Sequence, residues 1–375
     1  MTESRWVLQL CHGYKAPFLD VARQYATLFT GTDYKVLTAF LCGEPDEQVV
    51  VSAASDEVLF LGLKSADLNG LKRGIIKQIS GLHQQRNFHF AIAHRNKPVY
   101  ICTHLPDLPV IGVYHAFGAF DRLGRRLYAH WRRERLMLLL GVSDAVRDDL
   151  RSALPSFSPG QIQTLYNRIE PAQLQAVQYS AAEARERLGL AAEDYVIANV
   201  GRLHPDKDQA TLLRAFAHCA EWLPQALLLI IGTGRLEAKL KQQAEQLGIQ
   251  DRVRFAGVVA EAPRYFRAFD LFVLSSDHEP FGMVLLEAMA AGVPLIATRC
   301  GGAQEVVADT GGLFDVGDDQ ALAELMLQFH ALPSAERERL TQAMGQRLRQ
   351  HFTDEAVKAR FWSLPRIQSL IDTDS

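Results

Sequence analysis

Short apolar runs recur along the chain, separated by longer stretches in which apolar and charged residues alternate at helical spacing. Apolar runs of about four to eight residues bounded by Gly, Pro, Asn or Asp read as strands buried on both faces. Their alternation with amphipathic segments is the signature of βα units and mainly parallel sheets. In the first half this predicts strands at Trp6–Leu10, Tyr34–Leu41, Val58–Leu61, His89–Ala93, Val110–Tyr114, Leu138–Val142 and Gln163–Leu165. In the second half it predicts Tyr195–Val200, Leu227–Ile231, Val253–Ala256, Leu271–Leu274 and Val293–Ala297. The series breaks at Asn167–Ser180, where Glu170-Pro171 precedes a Gln/Ala-rich stretch, and resumes after a helix at Ala181–Leu188. The fold class expected is α/β, with two Rossmann-like, doubly wound domains at residues 1–172 and 173–353 and a terminal segment 354–375.

A length of 375 residues is enough for two cores of this kind. A net charge of −3 gives no basis for nucleic-acid binding, so any basic patch is local. The five cysteines are scattered without a CxxC pair, which signals neither a disulfide framework nor a zinc site and fits reduced thiols. No stretch approaches the roughly 20 apolar residues that span a bilayer, and the chain opens without a secretory pattern. A cytoplasmic protein, at most peripheral on the inner face of the membrane, is expected.

In doubly wound sheets, ligands bind beyond the carboxyl ends of the strands. Three loops in such positions carry candidate chemistry. Gly201-Arg202-Leu203-His204-Pro205-Asp206-Lys207 follows the strand Tyr195–Val200 and offers close backbone approach, a guanidinium fork and a point charge for phosphate oxygens, or else a solvated surface loop. Asp208 is placed to cap the next helix. Gly232-Thr233-Gly234 follows Leu227–Ile231; such a GxG serves either ligand approach or strand–helix packing. Ser275-Ser276-Asp277-His278-Glu279-Pro280-Phe281-Gly282-Met283 follows Leu271–Leu274 and leads into a helix that contains Glu287, with Pro280 suited to its start. A helix N-terminus attracts anions through its free amides and dipole. Acidic residues beside it suit sugar hydroxyls: Glu279 for a sugar ring, Glu287 for a ribose, the alternative being two solvent-facing carboxylates. An Asp-x-Asp occurs at Asp372-Thr373-Asp374 in the tail, and no metal site is expected.

With Glu279-x7-Glu287 downstream of Gly201-Arg202…Lys207, the second half resembles the retaining GT-B glycosyltransferases of family 4. Gly301-Gly302-Ala303-Gln304-Glu305 extends the resemblance, as do Gly141-Val142-Ser143-Asp144-Ala145-Val146 and Leu165-Tyr166-Asn167-Arg168-Ile169-Glu170 in the first half. The resemblance implies two domains facing each other across a cleft that closes around the donor, with Asp354–Ile371 crossing back to the first domain. Arg202 and Lys207 match the family's diphosphate-binding pair, Glu279 its contact to the donor hexose and Glu287 its ribose ligand. Phe281 and Gly282 match backbone contacts to the sugar; Gly13, Gly201, Gly232, Gly234 and Met283 complete the expected donor-binding set. His115, at the end of Val110–Tyr114, matches the active-site histidine, with His104 and His94 as alternatives. The chain departs from the family's Gly-Gly turn after the first strand: Cys11-His12-Gly13-Tyr14-Lys15 has one glycine.

The activity implied is transfer of a hexose-type sugar from a nucleotide-diphosphate donor, as co-substrate, to a glycan or glycolipid acceptor such as a lipopolysaccharide core. No cofactor and no metal are implied. Fold does not fix reaction, so a sugar-nucleotide epimerase or hydrolase, or a catalytically dead nucleotide-binding protein, stays open. A dehydrogenase is disfavoured because neither half opens with G-x-G-x-x-G. Finally, Arg122–Arg135 holds six arginines against Glu134 alone, with Leu123, Leu127, Tyr128 and Trp131 between them. At helical spacing this segment forms an anionic-membrane contact, a site for a phosphorylated acceptor, or a solvated face.

Overall fold

The computed structural model describes residues 5–15 and 18–372, with the side chain of Asp372 left out. Thr373, Asp374 and that side chain place the tail Asp-x-Asp outside the described residues. The chain forms two compact units: Met1–Asn167 with Val357–Ser375, and Arg168–Ala356. The changeovers thus fall at 167/168 and 356/357, a few residues from the expected 172/173 and 353/354.

The first unit is built on β1 (Arg5–Cys11), β2 (Tyr34–Cys42), β3 (Glu57–Leu63), β4 (Phe90–His94), β5 (Val110–Tyr114), β6 (Leu136–Gly141) and β7 (Ile162–Thr164). They form one parallel seven-stranded sheet in the order β3-β2-β1-β4-β5-β6-β7. The second unit carries β8 (Tyr195–Val200), β9 (Ala226–Ile231), β10 (Val253–Gly257), β11 (Leu271–Leu274), β12 (Leu295–Thr298) and β13 (Gly312–Phe314). These too are parallel, in the order β10-β9-β8-β11-β12-β13. Strand order reverses between β1 and β4 in one sheet and between β8 and β11 in the other. Those reversals are the topological switch points where the crevices of doubly wound folds open.

The strands are almost wholly apolar because helices cover both faces. Leu8, Leu10, Ile92, Val113, Leu138 and Leu140 of the first sheet have no exposed surface, and nor do Val196, Leu228, Ile230, Phe272 and Ile296 of the second. Polar residues interrupt this pattern, and several cluster at or just beyond the carboxyl ends. His94, Asn199, Ser275, Ser276 and Thr298 are buried there, and Gln9 lies deeper in β1. A buried polar group in a strand needs a partner, so these residues mark where to look for built sites.

Every strand expected from the pattern is present, and β13 is an addition. It is three residues long and opens with Gly312, whose added Cβ would meet Ile296 Cγ1 at 3.0 Å and Phe329 at 3.2 Å. Close packing, not an apolar run, defines it. The terminal segment is two helices, Asp354–Trp362 and Pro365–Asp372, where one was expected. Pro365 opens the second because proline fits a first turn but breaks an interior. Val357, Phe361, Ile367 and Leu370 from these helices, and Leu364 from the turn between them, pack into the core of the first unit beside Phe29, Val36 and Phe90. Trp362 Nε1 donates to the Leu28 carbonyl at 2.9 Å.

Where the chain passes between units, its two passages are tied together by residues of the second. Arg168 Nε donates to Asp354 Oδ1 at 2.5 Å, with the arginine side chain 1% exposed. The Asp354 amide donates to Glu170 Oε1 at 2.8 Å and the Ile169 amide to the Phe352 carbonyl at 3.0 Å.

Candidate functional site

At the switch point of the second sheet, the loops after β8 and β11 lie side by side, joined where the Asp277 amide donates to the Asp206 carbonyl at 3.1 Å. The first loop begins at Gly201 and passes through a single 3-10 turn, Pro205–Lys207. Asp208 then takes a left-handed conformation (φ 40°) and caps the helix Gln209–Cys219 by accepting from Thr211 N at 3.3 Å. The turn sends Lys207 inward, and its Nζ donates to Glu279 Oε2 at 2.5 Å. Both side chains are largely buried, at 18% and 10% exposure. Ser276 Oγ donates to the same carboxylate oxygen at 3.3 Å, and Ser275 Oγ to the Lys207 carbonyl at 3.0 Å. Arg202 differs: its side chain is 70% exposed and its Nη2 meets Asp206 Oδ2 at 3.2 Å. A buried ammonium–carboxylate couple thus adjoins an exposed guanidinium, a set able to receive phosphate on one side and hydroxyl groups on the other.

The helix that follows is Met283–Ala291, with Gly282 as N-cap in a left-handed conformation (φ 98°). Pro280, the expected helix start, therefore lies in the loop, three residues before the first helical residue, Met283. Phe281 turns its ring into the core, 5.9 Å from the Phe352 ring, leaving its backbone as the part that can meet a ligand. Met283 and Glu287 are half-buried on the helix. Gly302 was not among the expected site residues, yet its Cβ would stand 2.5 Å from the Pro280 carbonyl oxygen, and its amide donates to the Glu279 carbonyl at 2.8 Å. It lets the neighbouring helix Gly301–Val307 press against the 279–281 backbone. Thr298 Oγ1 and Cys300 Sγ both reach the Ser276 carbonyl and fix the loop from below.

The glycines of the other loop have a structural reason. A Cβ on Gly232 (φ 133°) would lie 2.0 Å from the Gly201 carbonyl oxygen, and one on Gly234 would lie 2.3 Å from that of Leu203. Contact between the loops after β8 and β9 accounts for both. In the first unit, Gly13 has the same character, since its Cβ would approach the Cys42 carbonyl oxygen at 3.2 Å.

His115 and Gly13 lie in the first unit, and all other expected site residues in the second. His115 follows β5 and pairs with His94, the last residue of β4: His94 Nδ1 and His115 Nε2 are 3.1 Å apart. Behind them, Gln9 Nε2 donates to the Ala22 carbonyl at 2.9 Å, which fixes the amide's orientation, and lies 3.3 Å from His94 Nε2. An amide nitrogen cannot accept, so His94 Nε2 must. The His94 proton then sits on Nδ1 and is donated to His115 Nε2, which leaves His115 with its proton on Nδ1. That Nδ1 is buried and has no hydrogen-bond partner among the described residues. Burial and the nearby Arg95 charge push His115 down to about 3, and burial with the His115 and Arg95 charges holds His94 well below the usual range. Both rings are neutral, and His115 presents a fixed N–H donor. Arg95 itself has φ 71° and ψ 174°, a strained conformation at the end of β4. His104, by contrast, uses Nδ1 on the Tyr100 carbonyl at 2.7 Å, a tie just beyond the end of the helix Asn96–Cys102.

The segment Arg122–Arg135 is helical only over Leu123–Trp131; Arg132, Arg133 and Arg135 follow its end. Leu123, Leu127 and Trp131, four residues apart, are 67%, 61% and 68% exposed. The helix therefore turns an apolar stripe outward. Among the described residues no helix is long and apolar enough to cross a membrane, and no three His, Cys, Asp or Glu side chains stand together as a metal site.

These two parallel sheets are the two Rossmann-like domains of the GT-B fold. Residues 180–347, within the second unit, match the family model described as Glycosyl transferases group 1. Among curated relatives, the lipopolysaccharide core biosynthesis glycosyltransferase LpsD of Rhizobium meliloti is 34% identical over 183 residues, 48% of this chain and 52% of that protein. N-acetyl-alpha-D-glucosaminyl L-malate synthase of Bacillus anthracis is 33% identical over 206 residues, 53% of this chain and 52% of that protein. The chain spans about half the length of these relatives. Among solved structures, Anabaena HepE in complex with UDP and glucose aligns over 95% of this chain and 98% of its own, with 20% identity and a TM-score of 0.77.

Proposed function

We propose that this protein is a retaining, metal-independent hexosyltransferase that uses a nucleotide-diphosphate sugar and a glycan or glycolipid acceptor. The observation that carries the reading is the Lys207–Glu279 couple beside the Gly282 helix start. Breaking the glycosidic bond to a diphosphate puts negative charge on the leaving oxygen, and fixed positive groups aimed there supply most of the rate. Arg202, Lys207 and the first amides of Met283–Ala291 are suited to that task, with Glu279 holding sugar hydroxyls and Glu287 the ribose. His115, limited to donating from Nδ1, orients a hydroxyl or phosphate oxygen and does not act as a base. Retention follows from front-face attack, with the leaving phosphate taking the acceptor proton.

HepE, crystallised with UDP and glucose, supports a nucleotide-sugar donor, and LpsD supports a lipopolysaccharide-core or other cell-surface glycan acceptor. The outward stripe of Leu123, Leu127 and Trp131 among arginines supports peripheral binding to an anionic membrane from the cytoplasmic side.

The test is calorimetry with UDP-, GDP-, ADP- and dTDP-sugars, with Lys207→Ala and Glu287→Ala as controls. One nucleotide class should bind tightly and lose affinity in both variants. Binding of none of them sinks the reading. Transfer abolished by a chelator would refute metal independence, and donor turnover without acceptor would favour an epimerase or hydrolase.

A further inference from the structure

A cavity of about 320 Å³ lies within the first unit, between the helices Asn96–Cys102 and Leu123–Trp131. Lys72, Lys97 and Arg125 contribute cations to its lining, and Tyr100, Tyr114 and Tyr128 contribute rings. No carboxylate is among the described residues that line it. The cations stand close: Lys72 is pushed down by burial and by the Lys97 charge. Its ammonium is held by the Gly70 carbonyl at 2.7 Å and lies 4.6 Å from the Tyr100 ring centre. One Arg125 N–H is fixed on the Ala119 carbonyl at 2.9 Å. Lys72 is itself left-handed (φ 52°), a conformation costly for a side chain of that kind.

Tyr114 is 2% exposed and lines the cavity, yet its hydroxyl has no hydrogen-bond partner among the described residues. Burial raises its pKa, so the phenol stays a donor. Leaving a buried hydroxyl unpaired costs roughly 1–3 kcal/mol, and packing three cations without counter-charge adds repulsion. A bound anion relieves both.

We propose that this cavity receives a phosphorylated sugar unit of the acceptor, a substrate class that rests on the glycosyltransferase reading above. Ring faces suit the C–H surface of a pyranose, and the cations with the Tyr114 hydroxyl suit its phosphate. The volume is at the small end of ligand pockets, fitting one sugar phosphate and not a nucleotide sugar.

Glucose 6-phosphate, glucose and inorganic phosphate serve as probes in calorimetry. Glucose 6-phosphate should bind at least about tenfold more tightly than either fragment, and Lys97→Gln and Arg125→Gln should each weaken it about tenfold. Tyr114→Phe should weaken it several-fold without lowering Tm, because the hydroxyl has no structural partner to lose. Nucleotide-sugar affinity should be unchanged in all three variants, which separates this site from the donor site. Equal affinity for glucose 6-phosphate and inorganic phosphate, or unchanged affinity in the variants, overturns the assignment. Binding to phosphatidylglycerol vesicles that Lys97→Gln abolishes, without glucose 6-phosphate binding, overturns it in favour of a lipid headgroup. The underlying reading fails separately, if wild-type protein binds no nucleotide sugar.

Discussion

Lys207 and Glu279 neutralise each other in a largely buried setting, so removing one does more than remove a contact. Lys207→Ala leaves a buried carboxylate without its cation, a change that typically costs about 3–5 kcal/mol. It should lower Tm and weaken nucleotide-sugar binding at least about tenfold. Adding Glu279→Gln should restore most of the Tm but not the binding; restored binding would take Lys207 out of the donor site. His94 and His115 make a pH prediction. Both are neutral when folded, His115 with a pKa near 3, while unfolded histidines titrate near 6.5. Between those values the unfolded chain binds more protons, so stability is full above about pH 6.5 and falls as the pH drops, by at most about 1.4 kcal/mol per unit and group. His115→Asn should flatten the dependence of Tm on pH between 6.5 and 4. Nitrogen NMR should show His115 protonated at Nδ1, and His94→Phe should disturb that tautomer; a ring protonated at Nε2 would break the chain from Gln9. The places of His115 just after β5, of Lys207 and Glu279 in loops beyond strand ends and of Glu287 on the following helix were legible in the sequence. The partners of that histidine were not, because Gln9 and His94 lie on β1 and β4, and only the sheet order makes those strands neighbours. The one local hint was a glutamine inside the apolar run Trp6–Cys11.

At the level of elements, strands were legible wherever an apolar run marked them, and β13 was not because glycine packing replaces the run. The same holds for the loops after β8 and β9. GxG can be read from sequence, but its cause, a carbonyl 2.0 Å from where a Gly232 Cβ would stand, is a tertiary contact. Gly232→Ala should therefore destabilise the second unit by several kcal/mol and distort the loop that carries Arg202 and Lys207. A variant with unchanged Tm would mean that the loops can part. The helix Leu123–Trp131 calls for a different test, since its exposed stripe contributes nothing to its own unit's core. Replacing Leu123, Leu127 and Trp131 together with serine should change the unfolding free energy by no more than about 0.5 kcal/mol per residue. It should also greatly reduce co-sedimentation with anionic vesicles. Binding to neutral vesicles as strongly as to anionic ones would contradict a role for the arginines.

For the whole molecule, the division into two units followed from the break at Asn167–Ser180, but the return of the chain at Val357 was expected only through a family resemblance. It has energetic weight: the helices 354–362 and 365–372 and the turn between them place Val357, Phe361, Leu364, Ile367 and Leu370 in the core of the first unit. A chain ending at Ala356 would lose those side chains, each worth roughly 1.5–3 kcal/mol of burial, which exceeds the margin of most domains. In such a chain calorimetry should show the second unit melting near its original Tm with a much reduced enthalpy, because the first unit is already largely unfolded. A transition at the wild-type Tm with the full wild-type enthalpy would refute this.

The ties between Arg168 and Asp354 and between Ile169 and Phe352 bear on how the protein is made. On the ribosome, β1–β7 emerge first yet must wait for nearly two hundred further residues before their last core side chains are synthesised. The inserted unit, contiguous in sequence, can close its own core in the meantime. The order of birth is thus the reverse of the order of completion, and the amino-terminal sheet is the part most exposed to proteases and chaperones while translation continues.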